Sequence, residues 1–214
     1  MTVPTPQAKA LGGRLPLADP ATMTDEQRGL FDLMMNTMVP WAGQVPFQST
    51  TADGRLIGPF NPALINPQTA TKFLELQFAE QLNTSLDERV RQVIVLTVGA
   101  IWGADYELYA HAAVARQAGL SESAIRTLVS GGVPGELTER ERLAHRVTRQ
   151  LCVDHKLDDE LYHQAENIFG TVGLIDMSTL IAAYHGVCIT LNMFDVPAPG
   201  PIVRDANDSY GGTR

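Results

Sequence analysis

The chain has 214 residues, 44% of them hydrophobic and 19% charged, which suffices for one sizeable core with an extended arm. A net charge of −8 argues against non-specific binding to nucleic acid or to an anionic membrane, so no nucleic-acid or membrane partner is expected. An anionic small-molecule substrate would need a local basic pocket within an acidic protein.

Residues 1 to 22 are rich in Pro and Gly and read as an irregular arm. They hold no apolar run, so no signal peptide is expected, and no later stretch reads as the ~18 or more apolar residues of a membrane span. Thr24 followed by Asp-Glu-Gln27 is a capping box, and Leu30, Phe31, Met34 and Met38 continue it as one apolar stripe. Residues 39 to 60 scatter Pro and Gly without a period. A structureless loop of this length in a compact domain is usually a lid or a partner-binding arm, and Trp41 and Phe47 give it something to bury. The chain therefore divides into residues 1–60 (arm, first helix and loop), a helical domain over 61–200, and a tail over 201–214.

From Pro67 the pattern is helical throughout. Residues 68 to 83 carry Phe73, Leu76 and Phe78. Ser85 is the expected cap of the next helix, with Val90, Val93, Ile94, Thr97, Val98 and Ile101 at helical spacing. A helix over about 104 to 118 follows. Ser121 caps a short helix that ends at Gly131-Gly132. Thr138-Glu-Arg-Glu141 is a second capping box. Asp158 or Asp159 starts a helix ending near Gly170, and a last helix over about 173 to 194 carries Leu174, Met177, Ile181, Tyr184, Cys188 and Leu191. No segment alternates as a strand, so the fold class is all-α, a multi-helix bundle of about eight helices. Cys152 and Cys188, the only two cysteines, have no Cys-x-x-Cys spacing; they read as buried fillers in a reduced, cytoplasmic protein.

The helix over 104 to 118 holds the most informative pair. Glu107 and His111 are four residues apart and stack on one helix face. A carboxylate beside an imidazole is an acid/base unit, because the acid fixes the tautomer and holds the ring. Two bland alternatives stand beside that: a packed, inert histidine, or a solvated pair stabilising by roughly 0.3 kcal/mol. A metal site would need further ligands, His185 or His163 among them, and neither a metal nor another cofactor is expected. Tyr106 and Tyr109 flank the pair and can donate to an oxyanion, although core packing is the commoner role. Arg91, and less so Arg89, can meet a substrate carboxylate through the guanidinium fork, or pair with Asp87 and Glu88 at the surface. His185, on the apolar side of the last helix, is a second pocket histidine or a satisfied core one. His145, His155 and His163 sit among charged residues and read as surface.

Glu107-x-x-x-His111 followed by Ala-x-x-x-Ala-x-x-x-Gly119-Leu-Ser resembles the carboxymuconolactone decarboxylase family, within the alkylhydroperoxidase-like superfamily. The run Leu86-Asp-Glu-Arg-Val-Arg-Gln-Val-Ile-Val-Leu is similar to the preceding helix of that family, and Ile57 to Asn61 and Asn192 to Pro199 match its flanks. The resemblance implies an alkylhydroperoxidase-like bundle, a homo-oligomer (dimer, trimer or hexamer) and a cofactor-independent carbon–carbon lyase. It implies a carboxylated lactone or similar aromatic-catabolism intermediate as substrate. In that reading His111 is the general acid, Glu107 orients it and Arg91 anchors a second carboxylate, while Tyr106, Tyr109 and His185 line the substrate. The peroxidase branch carries Cys-x-x-Cys before its histidine. Here those positions are Ala104 and Glu107, and the branch's upstream acid aligns with Gln92. Dithiol chemistry therefore lacks its residues. The alternatives are a peroxidase-type oxidoreductase, an isomerase or hydrolase on the same scaffold, and a non-catalytic oligomeric binding protein.

Overall fold

The computed structural model describes residues 11–204. They form helices α1 (Asp25–Asn36), α2 (Met38–Gln44), α3 (Phe60–Ala63), α4 (Pro67–Asn83), α5 (Glu88–Trp102), α6 (Asp105–Gln117), α7 (Glu122–Val129), α8 (Glu139–Asp154) and α9 (Asp159–Met193). Among the described residues there is no strand, only an isolated bridge between Thr50 and Leu56. The expected all-α class is the observed one.

Local chemistry sets most helix ends. Thr24 and Thr138 each close a capping box, with Gln27 and Glu141, and Ser121 and Asp158 cap α7 and α9. One expected cap is corrected. The side chain that accepts at the start of α5 is Asp87, from the Val90 N–H, whereas Ser85 donates both its N–H and its hydroxyl to Asp176 on α9 at 2.7 Å. The stripe through Met38 also breaks. Thr37 leaves helical geometry, and α2 restarts with Pro40 in its first turn, where a missing N–H costs nothing. Residues 39 to 44 are thus helical, and the irregular stretch shrinks to residues 45–59.

Helix α5 is the axis of the bundle. Every residue from Val90 to Gly99 is buried, so its surface is apolar nearly all round and neighbours cover every side. Helices α6, α7, α8 and α9 pack directly on it. The chain leaves α5 through Gly103 in the left-handed region (φ 60°), which turns it straight into α6 and lays the two helices side by side. Helix α9 bends at Gly170, where φ is 67° and ψ 172°. Among the described residues α9 alone is long and apolar enough to cross a membrane, contrary to the sequence expectation; here it lies packed against α4, α5, α6 and α8.

The N-terminal arm is fastened to the bundle. Arg14 N–H donates to Phe194 O at 2.7 Å, and the buried Asn61 accepts from Ala18 N–H at 2.9 Å while donating to Pro16 O at 3.2 Å. Residues 1–10 of the arm and 205–214 of the tail lie outside the described residues. His145 is a second correction. It is only 2% exposed on α8, because the opposite face of that helix, not this one, takes the solvent.

Candidate active site

A cavity of about 640 Å³ opens between α1–α4 on one side and α5, α6 and α9 on the other. Most of its wall is apolar. Its polar end is built from Glu80 of α4, Glu88, Arg91 and Gln92 of α5, Glu107 and His111 of α6, and Tyr184 of α9.

Glu107 and His111 are 3% and 7% exposed. His111 Nδ1 lies 2.8 Å from Gln92 Oε1, and Gln92 Nε2 donates to Glu88 Oε1 at 2.7 Å. A carboxylate only accepts, so the Gln92 amide nitrogen must face Glu88 and its carbonyl must face the ring. His111 therefore carries its proton on Nδ1 and presents a lone pair on Nε2. That lone pair stands 3.2 Å from Glu107 Oε1. The approach is off the hydrogen-bond direction, and Oε1 has no hydrogen-bond partner among the described residues.

Burial decides where the proton of the pair sits. It pushes the Glu107 carboxyl from 4.5 up to about 8, and with the Arg91 charge it pulls His111 from 6.5 down to about 3. An acid–imidazole pair and a carboxylate–imidazolium pair hold the same number of protons. In dry surroundings the neutral pair wins, because neither member has to be desolvated as an ion. At neutral pH the site thus holds a carboxylic acid beside a neutral imidazole.

Arg91 is 7% exposed and is hydrogen-bonded through Nη1 to Glu80. Its Nε lies 3.5 Å from Glu88 Oε2 and makes no hydrogen bond among the described residues. The guanidinium expected to anchor a substrate carboxylate already faces two carboxylates of this chain. Arg89 points elsewhere, pairing its Nε with Glu141 Oε1 at 2.6 Å on α8.

The two expected tyrosines are occupied. Tyr106 lines the cavity with its ring, but its hydroxyl donates to Gln48 O at 2.8 Å. Tyr109 accepts from Gln48 N–H at 3.0 Å. Together they fasten the 45–59 loop to α6. Gly58 (φ 65°) runs so close to the Tyr106 ring that a Cβ there would sit 2.2 Å from it, which is why glycine stands at that position.

Nor is His185 brought to the cavity. Its Nδ1 accepts from the Trp102 indole N–H at 3.0 Å and its Nε2 lies 2.9 Å from Cys152 Sγ. Burial raises the Cys152 thiol to about 11, and pushes the fully buried Cys188 higher still. Among the described residues no cysteine lines the cavity, and no group of three or more metal-ligating side chains is assembled.

Sequence reasoning missed Tyr184. It lies edge-on to the His111 ring (centroids 5.0 Å apart, planes at 90°), lines the cavity, and its hydroxyl has no hydrogen-bond partner among the described residues. Burial holds that phenol well above its ordinary range, so it remains a donor. Its one-residue offset from His185 was the available signal, since adjacent residues on a helix point about 100° apart. Glu88 and Gln92 were legible as an i,i+4 pair on α5. Nothing local announces Glu80, whose partner is on another helix.

Residues 67–150 match the model of the carboxymuconolactone decarboxylase family. No curated protein matches the chain. Among solved structures it is similar to the alkylhydroperoxidase AhpD core of an uncharacterized peroxidase-related protein from Ralstonia eutropha JMP134. The TM-score is 0.68 at 15% identity, over 86% of this chain and 91% of that one. It is also similar to an uncharacterized peroxidase-related protein from Silicibacter sp. TM1040, with TM-score 0.66 at 17% identity, over 94% of this chain and 97% of that one. These likenesses are in fold; the bundle is alkylhydroperoxidase-like.

Proposed function

We propose that this chain, whose residues 67–150 match the model of the carboxymuconolactone decarboxylase family and which folds as an alkylhydroperoxidase-like bundle, is a cofactor-independent carbon–carbon lyase that decarboxylates its substrate by proton transfer. The observation that carries this is the buried acid–imidazole pair at the polar end of the cavity. Loss of CO2 leaves an electron pair on carbon that must spread onto a conjugated carbonyl or ring and then take a proton. Glu107 holds a transferable proton near neutral pH, and its Oε1 has no hydrogen-bond partner among the described residues. The roles implied by the resemblance are thereby exchanged. Glu107 is the acid that protonates carbon, and His111, fixed by Gln92, returns a proton to it from solvent. Tyr184 donates to the developing oxyanion. The apolar wall favours the reaction, since a carboxylate stripped of water is destabilised relative to the charge-dispersed transition state.

The peroxidase-related neighbours suggest a redox alternative, and the cysteine-free cavity speaks against dithiol chemistry in it. The test is CO2 release from a panel of carboxylated lactones and β-oxo acids. Wild type should turn over at least one, and Glu107→Gln and His111→Asn should each lose about 10²-fold or more with unchanged circular dichroism. Full activity in Glu107→Gln, or peroxide turnover abolished by Cys152→Ala, would overturn the proposal. Solvent deuterium entering a substrate that keeps its carboxyl would assign the pair to isomerisation instead.

A homo-oligomer belongs to the same proposal. It is supported by Val172, Ile175, Ile189 and Met193, large apolar side chains that α9 leaves exposed. Light scattering of a monodisperse monomer would remove it.

A further inference from the structure

From the cavity's size, lining and charge we infer that the substrate is a monocarboxylate with a bulky, apolar, two-ring-sized body, and not a small lactone bearing two carboxylates. The inference rests on the decarboxylase reading for its reaction, but on separate observations for its substrate.

Size comes first. The cavity measures about 640 Å³. A dry cavity of about 150 Å³ takes a single benzene ring, and pockets of about 300–1,000 Å³ take drug-sized ligands. A one-ring lactone would leave most of this volume to water and would forgo the apolar burial that the wall offers.

The lining points the same way. Trp41 and Phe47, which pack edge-to-face with centroids 5.4 Å apart, line the cavity along with Phe60, Phe73, Phe78 and Met34. These side chains come from α1, α2, α3, α4 and the 45–59 loop, outside the α5–α6 core that carries the acid. Rings and thioether suit a planar aromatic body, which they can stack against or meet edge-on.

Charge limits the number of carboxylates. Arg91 is the only cation among the described residues lining the cavity, and it faces Glu80 and Glu88. Breaking that buried pair for a substrate anion would strand Glu80, whose side chain is 6% exposed, as an uncompensated charge. A second substrate carboxylate therefore finds no cation to meet. The one carboxyl that the proposed reaction needs is the one that leaves. Its bond to carbon breaks, CO2 departs, the electron pair stays on the conjugated body, and the Glu107 proton is added to that carbon. Carbon, charge and protons balance, and no oxidant or reductant enters.

The experiment is calorimetric titration of the wild-type protein with three unreactive probes: 2-naphthoate, naphthalene-2,6-dicarboxylate and 5-oxotetrahydrofuran-3-carboxylate. The naphthoate should bind at least about tenfold tighter than either of the others. Glu80→Gln, which removes one of the two carboxylates facing Arg91 while keeping a hydrogen-bonding side chain, should close the gap between the mono- and dicarboxylate by about tenfold. Equal or tighter binding of the dicarboxylate or the lactone by wild type would overturn the inference, as would no saturable binding of naphthoate. Binding is read without turnover. A naphthoate preference in a protein that releases no CO2 would sink the reaction and leave the substrate class standing; the converse would sink the class alone.

Discussion

His111 and His185 are both packed histidines, each within reach of a side chain that can exchange a proton, and the structure treats them oppositely. His185 has both nitrogens absorbed by the protein. Indole N–H only donates, so Trp102 forces a lone pair on Nδ1 and leaves the ring proton to point at Cys152 Sγ. An imidazolium would set two donors against each other, so the Cys152–His185 contact is held in its neutral form. His111 is pinned on one nitrogen only. Gln92 takes Nδ1–H, and Nε2 looks toward an acid whose Oε1 is unpartnered among the described residues, beside a cavity. A reactive pair of residue types becomes a site only where one of its bonds is left unmade beside space for a ligand.

Substitution of the two rings should break the comparison most sharply. His111→Asn should lower CO2 release by about 10²–10⁴-fold with the melting temperature little changed, whereas His185→Asn should lower the melting temperature and leave turnover within a few-fold. Equal losses of activity would mean that the cavity does not separate them.

The tyrosines offer the next test. Tyr184→Phe should reduce kcat by about 10²-fold without loss of stability, the effect of removing one oxyanion donor. Tyr106→Phe should do the reverse, costing about 1 kcal/mol in chemical denaturation for its hydrogen bond to Gln48 and little in kcat.

Stability against pH reads the buried proton directly. The folded state keeps the Glu107 proton while the unfolded chain loses it, so this group makes stability fall between pH 4.5 and about 8. His111 is neutral when folded and charged when unfolded, so it makes stability rise between about pH 3 and 6.5. Together they give a rise, a plateau between 4.5 and 6.5, then a fall toward 8. In Glu107→Gln the melting temperature should instead climb through that plateau and stay level above it. A persisting fall between 6.5 and 8 would show that Glu107 is not the proton holder.

The smallest expected effect is at the locked pair. Trp102→Phe removes the indole N–H and permits an imidazolium, so alkylation of Cys152 by iodoacetamide should quicken by no more than about tenfold. No change would mean that burial alone silences the thiol.

Much of the fold was legible because helix caps are local chemistry. Thr24, Thr138, Ser121 and Asp158 announce their helices within four residues. Ser85 misled because its partner, Asp176, is 91 residues away. For the same reason His145 read as surface: its neighbours in sequence are charged, and its burial comes from the helix it packs against. The spacing of Glu107 and His111 was plain, but which of them keeps the proton was not. That depends on Glu88, Gln92 and the exclusion of water, contributed by a different helix.

The sequence by itself determined the helices, their order and the stacking of an acid on an imidazole, because capping and the 3.6-residue turn operate over a few residues. Only the tertiary structure decided that Arg91 is neutralised by Glu80, that Tyr106 and Tyr109 are spent on a loop, and that Tyr184 rather than His185 faces the cavity. Burial and pairing are properties of neighbours that meet across helices, and a protonation state follows from what those neighbours leave unsatisfied.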